Sequence, residues 1–390
     1  ARGAGHPELA DVFRANGERL TGLSAQQRRV VAAITSCRTA ALGGHVRECD
    51  RGCGYAEVSY NSCRDRHCPK CQGLERVRWQ EARSEDLLPV PYFHVVFTIP
   101  DSLHEIFLAH PRVAYGLLFD AVAKTLKEVA ARNLGAEIGL TAVLHTWTQT
   151  LLYHPHLHCI VPGGGLNGRR WVSSRKSFFL AVRVLSAVFR GKLLSALERA
   201  VAANEIDARV GGGAETVHLL RKAARTKWVV YAKRPFAGPE QVLSYLGRYT
   251  HRIAISNERI LSMRGEEVTF SYKDRADGDR RRTTTLPAEA FLRRFLLHVL
   301  PRGFVRIRHY GLLANAVRKE RIALCRELLG VREEPAVLAP PKTWEALLLR
   351  LTGRDVERCP RCGVGRLRVT REIEPGASPE SEVAAKAASP

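Results

Sequence analysis

Five cysteines fall within the 23 residues from Cys49 to Cys71, in a stretch rich in Gly, Arg and His and without apolar periodicity. Residues 37–73 therefore lack the side chains for a core of their own. A small unit of that kind holds its shape with a metal ion. A tetrahedral Zn²⁺ site takes four thiolate or imidazole ligands, commonly as two short pairs closed by a loop. Cys49/Cys53 and Cys68/Cys71 supply two such pairs, and Gly52 and Gly54 let the backbone turn around the ion. Cys63 and His67 are alternates within the same reach, as are Cys37 and His45. A further knuckle, Cys359-Pro360-Arg361-Cys362-Gly363, stands alone, and a complete site there needs partners from elsewhere.

The remaining chain divides by its patterning. Residues 1–36 form an N-terminal helical segment, with apolar residues at Leu9, Val12, Phe13, Leu20, Val30, Val31 and Ile34. The zinc-binding module and a connecting helix occupy 37–88, and Pro89 and Pro91 stop that helix. A larger unit spans 89–330. It opens on the strand Phe93–Ile99 and continues with a helical stretch over 102–133. Two strands at Gly139–Trp147 and His156–Val161 follow, then a helix over 178–205. A strand at Lys227–Ala232, a helix over 239–249, hairpins over Ile253–Tyr272 and helices over 287–300 and 311–330 complete it. Antiparallel strands interspersed with helices predict an α+β fold. Residues 331–390 form a tail that carries the knuckle, and its Pro-, Ser-, Ala- and Glu-rich end from 373 onward is expected to be disordered.

No run of about 18 apolar residues exists, and the start lacks the apolar stretch of a signal peptide. A cytoplasmic, reducing setting is expected, without a membrane, and there clustered cysteines bind metal before they form disulfides. Lys and Arg outnumber Asp and Glu by 61 to 39, for a net charge of +22, and they are spread through folded-looking segments. That distribution suits a surface tracking a phosphate backbone, so nucleic acid is the expected partner. Arg64, Arg66 and Lys70 of the cysteine module are candidate DNA contacts, and so are Arg248 and Arg252. Trp147, Trp171 and Trp228 could stack bases, although a core role fits each better.

His154-Pro155-His156-Leu157-His158-Cys159-Ile160-Val161 carries the most chemical information. On a strand, His156 and His158 point one way and Leu157, Cys159 and Val161 the other. Two imidazoles on one face make half of a metal site. His145, on the preceding strand, is the candidate third ligand, ahead of Gln149 and His154. Downstream, Tyr245 and Tyr249 are four residues apart and would share one helix face, flanked by Arg248, His251 and Arg252. A core aromatic pair would have less polar flanks.

His-hydrophobic-His followed by Tyr-x-x-x-Tyr resembles the HUH endonuclease superfamily. The fuller series is Tyr60–Gln72, His94–Pro100, His154–Cys159 and Tyr245–Arg252. It resembles the two-tyrosine transposases of rolling-circle bacterial insertion sequences, the group that includes the insertion-sequence common-region elements. The likeness covers about residues 20–330 and departs from the pattern in the three residues, rather than two, between Cys49 and Cys53. It implies an antiparallel sheet with the histidine pair central and flanked by helices, and an HUH tyrosine transposase domain over 89–330. It also implies Mg²⁺ or Mn²⁺ at His156, His158 and a third ligand, for which His145 is the candidate, and Tyr245 or Tyr249 as nucleophile. The substrate would be single-stranded or melted transposon ends and target DNA, cut through a 5′-phosphotyrosine, which is compatible with a nucleoid-associated homo-oligomer. Other readings are a plasmid replication initiator or relaxase with the same chemistry, a non-catalytic zinc-finger DNA-binding protein, and a metal-dependent hydrolase. No helicase P-loop is present to support a fused relaxase.

Overall fold

The computed structural model describes residues 6–175, 180–211, 213–233, 241–242, 253–274, 277–331 and 343–377. The fold is α+β. Helices α1 (Leu9–Asn16) and α2 (Ala25–Ser36) lead into the hairpin β1 (Gly44–Cys49) and β2 (Ala56–Tyr60), and α3 (Gln72–Ser84) follows. Ser24 starts α2 because its hydroxyl accepts from the Gln27 N–H while the Gln27 side chain returns to Ser24. Strand β3 (Tyr92–Thr98) precedes the short α4 (His104–Ala109) and the long α5 (Pro111–Leu134). Pro111 suits the first turn of α5, and Gly135, at φ +65°, ends it in the left-handed region.

Strands β4 (Gly139–Trp147) and β5 (Tyr153–Pro162) come next, then the hairpin β6 (Gly164–Asn167) and β7 (Arg170–Ser173). After α6 (Val182–Ala202), the two-residue strands β8 (Arg209–Val210) and β9 (Ala214–Glu215) lead to α7 (Thr216–Arg225) and β10 (Val229–Ala232). A meander of β11 (Ile260–Arg264), β12 (Glu267–Asp274) and β13 (Arg280–Pro287) is followed by α8 (Ala288–Leu296) and β14 (Ile307–Gly311). The chain closes with α9 (Arg318–Leu328), α10 (Trp344–Thr352) and β15 (Leu367–Ile373).

The central sheet has the order β10-β3-β5-β4-β14, with every pair antiparallel. Alternation gives it two unlike faces. Phe93, Val95 and Phe97 of β3, Leu157, Cys159 and Val161 of β5, and Leu140, Ala142 and Leu144 of β4 all enter one core. Leu118, Phe119, Val122 and Leu126 of α5 and Leu185, Phe189, Leu193 and Leu197 of α6 cover them. Phe97 meets Phe189 edge-on at 5.1 Å. The other face carries the histidines.

A second core joins segments distant in sequence. Leu9, Val12, Phe13, Val30 and Ile34 pack with Ile260, Val268, Phe270, Phe291 and Phe295, and Cys37, Cys68 and Cys71 lie at its edge. The helices expected over residues 1–36 thus share a core with the meander and α8. At the other end, β15 pairs antiparallel with β1, so the expected tail supplies the third strand of a small sheet, β15-β1-β2. Order therefore extends past 373 to the last described residue, 377. Among the described residues, no helix is long and apolar enough to cross a membrane.

Phe97 is fully buried between sheet and helix. Phe97→Ala is expected to lower the unfolding free energy by about 3–5 kcal/mol, the usual penalty for emptying a large core site. Chemical denaturation against the parent chain checks this.

Candidate metal and DNA-processing site

The histidine site follows from the register of three strands. His145 of β4 lies opposite His156 of β5, and His158, two residues on, shares their face. Ligand nitrogens of His145, His156 and His158 lie within 4.8 Å of one another. Ring centroids are 4.5 Å apart for His145 and His158, 4.8 Å for His156 and His158, and 5.6 Å for His145 and His156. The structure thus brings the three expected histidines together. His154 joins a separate group with Asp101 and His104.

Hydrogen bonds to the second ring nitrogens orient two of the three rings. His156 Nδ1 lies 2.6 Å from the His154 carbonyl oxygen. A carbonyl only accepts, so Nδ1 carries the proton and the lone pair sits on Nε2. A β-bulge makes this contact local, since between the pairs His145–His156 and Trp147–Tyr153 the strand β5 has one residue more than β4. Pro155, inside the bulge, has no N–H for the ladder.

His158 Nδ1 lies 2.8 Å from His94 Nε2, and the two rings stack at 5.0 Å. His94 comes from β3, on the same face. Sequence reasoning gave His94 no role. Its signal was the alternation His94, Val96, Thr98, in step with the histidine face. Trp147 stacks on His145 at 4.7 Å, walling the site on the β4 side.

Beneath Trp147 lies a cavity lined by Arg66, His67, Ile253, Ala254, His298 and Arg306. His298 Nε2–H donates to the Leu151 carbonyl, and its Nδ1 faces the Thr146 hydroxyl at 3.2 Å. Both contacts suit a neutral ring, and burial pulls its pKa from 6.5 to about 4. Burial likewise lowers Arg306 to about 10.

The cysteines form two groups, not the single quartet expected from Cys49, Cys53, Cys68 and Cys71. Cys68 and Cys71 join Cys37 and Cys63, while Cys49 and Cys53 join Cys359 and Cys362. The reason is the β1–β2 hairpin. Cys49 and Cys53 bracket its tip, whereas Cys37, Cys63, Cys68 and Cys71 sit at its base. The length of β1, about 17 Å at 3.3 Å per residue, separates them.

In the basal group, Cys71 Sγ is 3.5 Å from Cys37 Sγ and 3.6 Å from Cys63 Sγ. Four sulfurs at about 2.3 Å from a Zn²⁺ lie about 3.8 Å apart, so the group fits that ion. Arg64, at φ +53°, turns the backbone so that the Asp65 N–H meets Cys63 Sγ at 3.5 Å. The alternate ligand His67 is engaged elsewhere. Its Nδ1–H donates to Asp65, and its Nε2 accepts from the Leu300 N–H. His45, mid-strand opposite Ser59, joins neither group.

Of the candidate DNA contacts, Arg64 is exposed. Arg66 donates to the Phe304 carbonyl, and Lys70 pairs with Glu8 at 2.5 Å, so both spend their charge inside the fold. Tyr245, Tyr249, Arg248 and Arg252 lie outside the described residues. Trp228 is buried in the main core, and Trp171 packs against an apolar cluster.

Comparison with known proteins bears on these sites. Residues 139–321 match a family described as a putative transposase, and residues 8–99 match a transposase zinc-binding domain. The chain is 50% identical over 384 residues to a putative transposase of Sinorhizobium fredii, covering 95% of this chain and 96% of that protein. It is 27% identical over 361 residues to the transposase for insertion sequence element IS801 of Pseudomonas savastanoi pv. phaseolicola, covering 88% of this chain and 83% of that one. No solved structure shows a significant match.

The lowered pKa of His298 sets a pH dependence. Between 6.5 and about 4 the unfolded chain binds a proton at this ring that the folded chain refuses. Stability should therefore fall as pH drops through that window. His298→Gln, which keeps an N–H for Leu151 and cannot titrate, should flatten the slope of the unfolding midpoint against pH.

Proposed function

Because this chain belongs to the family of insertion-sequence transposases with an N-terminal zinc-binding domain, we propose that it nicks and joins single-stranded DNA at transposon ends through a 5′-phosphotyrosine. The observation that carries this reading is the three-histidine cluster on the face of the central sheet opposite the main core. His145, His156 and His158 would hold the divalent ion. Three imidazoles offer nitrogen donors and no oxygen, a set that suits Mn²⁺ better than Mg²⁺. When bound, the ion would polarise the scissile phosphate and neutralise its developing charge.

The protein's own groups do the rest. His94 and the His154 carbonyl hold the His158 and His156 rings. Tyr245 or Tyr249 attacks phosphorus in line. A P–O bond to tyrosine forms, the bond to the 3′ oxygen breaks, and that oxygen leaves with a proton as a 3′-OH. A later 3′-OH reverses the step and rejoins DNA without ATP, and two tyrosines allow two transfers.

The described neighbours of the tyrosine segment support this assignment. Val242, just before it, is buried in the cluster that holds Ile160 of the histidine face. Ile253 and Ala254, just after it, line the cavity beneath Trp147. For the strand itself, Val229 and Tyr231 of the edge strand β10 share the histidine face and are more than half exposed, giving bases a surface to stack on. Arg64 would meet phosphate, and the basal cysteine group with its Zn²⁺ would hold that loop in place.

Labelled single-stranded oligonucleotides carrying the transposon ends, incubated with Mg²⁺ or Mn²⁺, should yield a covalent protein–DNA adduct. The Tyr245→Phe, Tyr249→Phe double variant and His156→Ala should lose it, with cleavage falling by at least about 10²-fold. Cleavage without an adduct would instead indicate hydrolysis, and binding without cleavage a finger protein.

A further inference from the structure

The knuckle at Cys359 and Cys362 lies outside residues 8–99, which match the zinc-binding domain. Chain folding nevertheless brings it to the hairpin tip. Cys49 Sγ is 3.7 Å from Cys362 Sγ, and Cys53 Sγ is 3.6 Å from Cys359 Sγ. All four sulfurs lie within 4.8 Å of one another. A disulfide requires about 2 Å, so these are not two bridges. Four thiolates around one Zn²⁺ stand about 3.8 Å apart, which matches.

The surrounding backbone is built for this crowding. Gly365 sits so close that a Cβ there would lie 2.4 Å from Cys49 Sγ. Its N–H instead points at Cys362 Sγ, at 3.3 Å. Gly52 and Gly363, at φ +65° and +69°, turn the two knuckles. The strands are also cross-tied, since the Asp50 N–H donates to the Arg366 carbonyl and the Arg366 N–H to Asp50 Oδ1.

Apolar burial in this sheet is small. One cluster has Val46, Ala56 and Ile373 at its centre, and the other has Cys49, Cys359 and Leu367. A three-stranded sheet with so few buried apolar residues needs another source of folding energy, and a structural ion is one.

We propose that Cys49, Cys53, Cys359 and Cys362 form a second, tetrathiolate Zn²⁺ site that clasps the C-terminal segment onto the N-terminal hairpin. Its ligands come in equal number from the two ends of the chain. The first site stays within residues 37–71, so the second can be lost alone. Loss of its ion should release β15 from β1.

The test uses the full chain purified under reducing conditions without chelator. Elemental analysis, with zinc released by a thiol-specific mercurial, counts thiolate-bound ions and leaves out any held by histidine. Two zinc ions per chain are expected, and one in the Cys359→Ser, Cys362→Ser double variant. Alkylation read by mass spectrometry identifies the site. In the native chain all eight ligand cysteines should be protected. In the double variant Cys49 and Cys53 should become reactive while Cys37, Cys63, Cys68 and Cys71 stay protected. Should the variant fail to fold, the native chain under graded chelation still decides, because Cys49, Cys53, Cys359 and Cys362 should lose protection together. The proposal is overturned by Cys359 and Cys362 alkylating in the untreated native chain, by a disulfide mass, by iron in place of zinc, or by a folded double variant that keeps two zinc ions.

Discussion

A slip of β5 by one residue against β3 and β4 would turn His156 and His158 into the apolar core and expose Leu157 and Cys159. The main core and the histidine face are therefore two sides of one constraint. Phe97, Leu157 and Phe189 hold the register by burial, and that register alone sets His145 opposite His156 and His94 beside His158. Among the described pairings of this sheet, the bulge at His154–Pro155 is the one local departure. It lets a backbone carbonyl orient the His156 ring without disturbing the pairing further along the strand.

Around this sheet the protein uses two ways of holding small elements. Where apolar residues are plentiful, as in the shared core of α1, α2, the meander and α8, burial suffices. Where they are scarce, cysteines gather. The basal group adjoins that second core and anchors the loop bearing Arg64. His67 links the loop through Leu300 to the segment that follows α8, and Arg66 links it to Phe304. The charge of Arg66 and Lys70 is thus spent on joining modules.

Much of the architecture was legible in the chain. Short runs of β-branched, aromatic and aliphatic residues marked β3, β4 and β5 within a few residues of their ends, because such side chains fit a buried pleated surface. His145 was within reach of His156 because a short connection between strands leaves few registers. The partition of the cysteines was not legible. Spacing alone favoured joining Cys49/Cys53 to Cys68/Cys71, since both pairs are near in sequence and nothing local shows that a hairpin separates them. The role of His94 was hidden for a similar reason, as its partner lies 64 residues away.

Residue types and their short-range patterns thus determined which side chains could bind a metal, that segments such as β3, β4 and β5 were strands, and that the fold mixes helix and antiparallel sheet. Tertiary structure decided which of those side chains meet. Pairing β15 with β1 joined cysteines 306 and 313 positions apart, and pairing β3 with β5 gave His158 its partner. Ligand chemistry is a property of single residues. Adjacency across the chain depends on how all the apolar surface is buried at once, and no local pattern contains that sum.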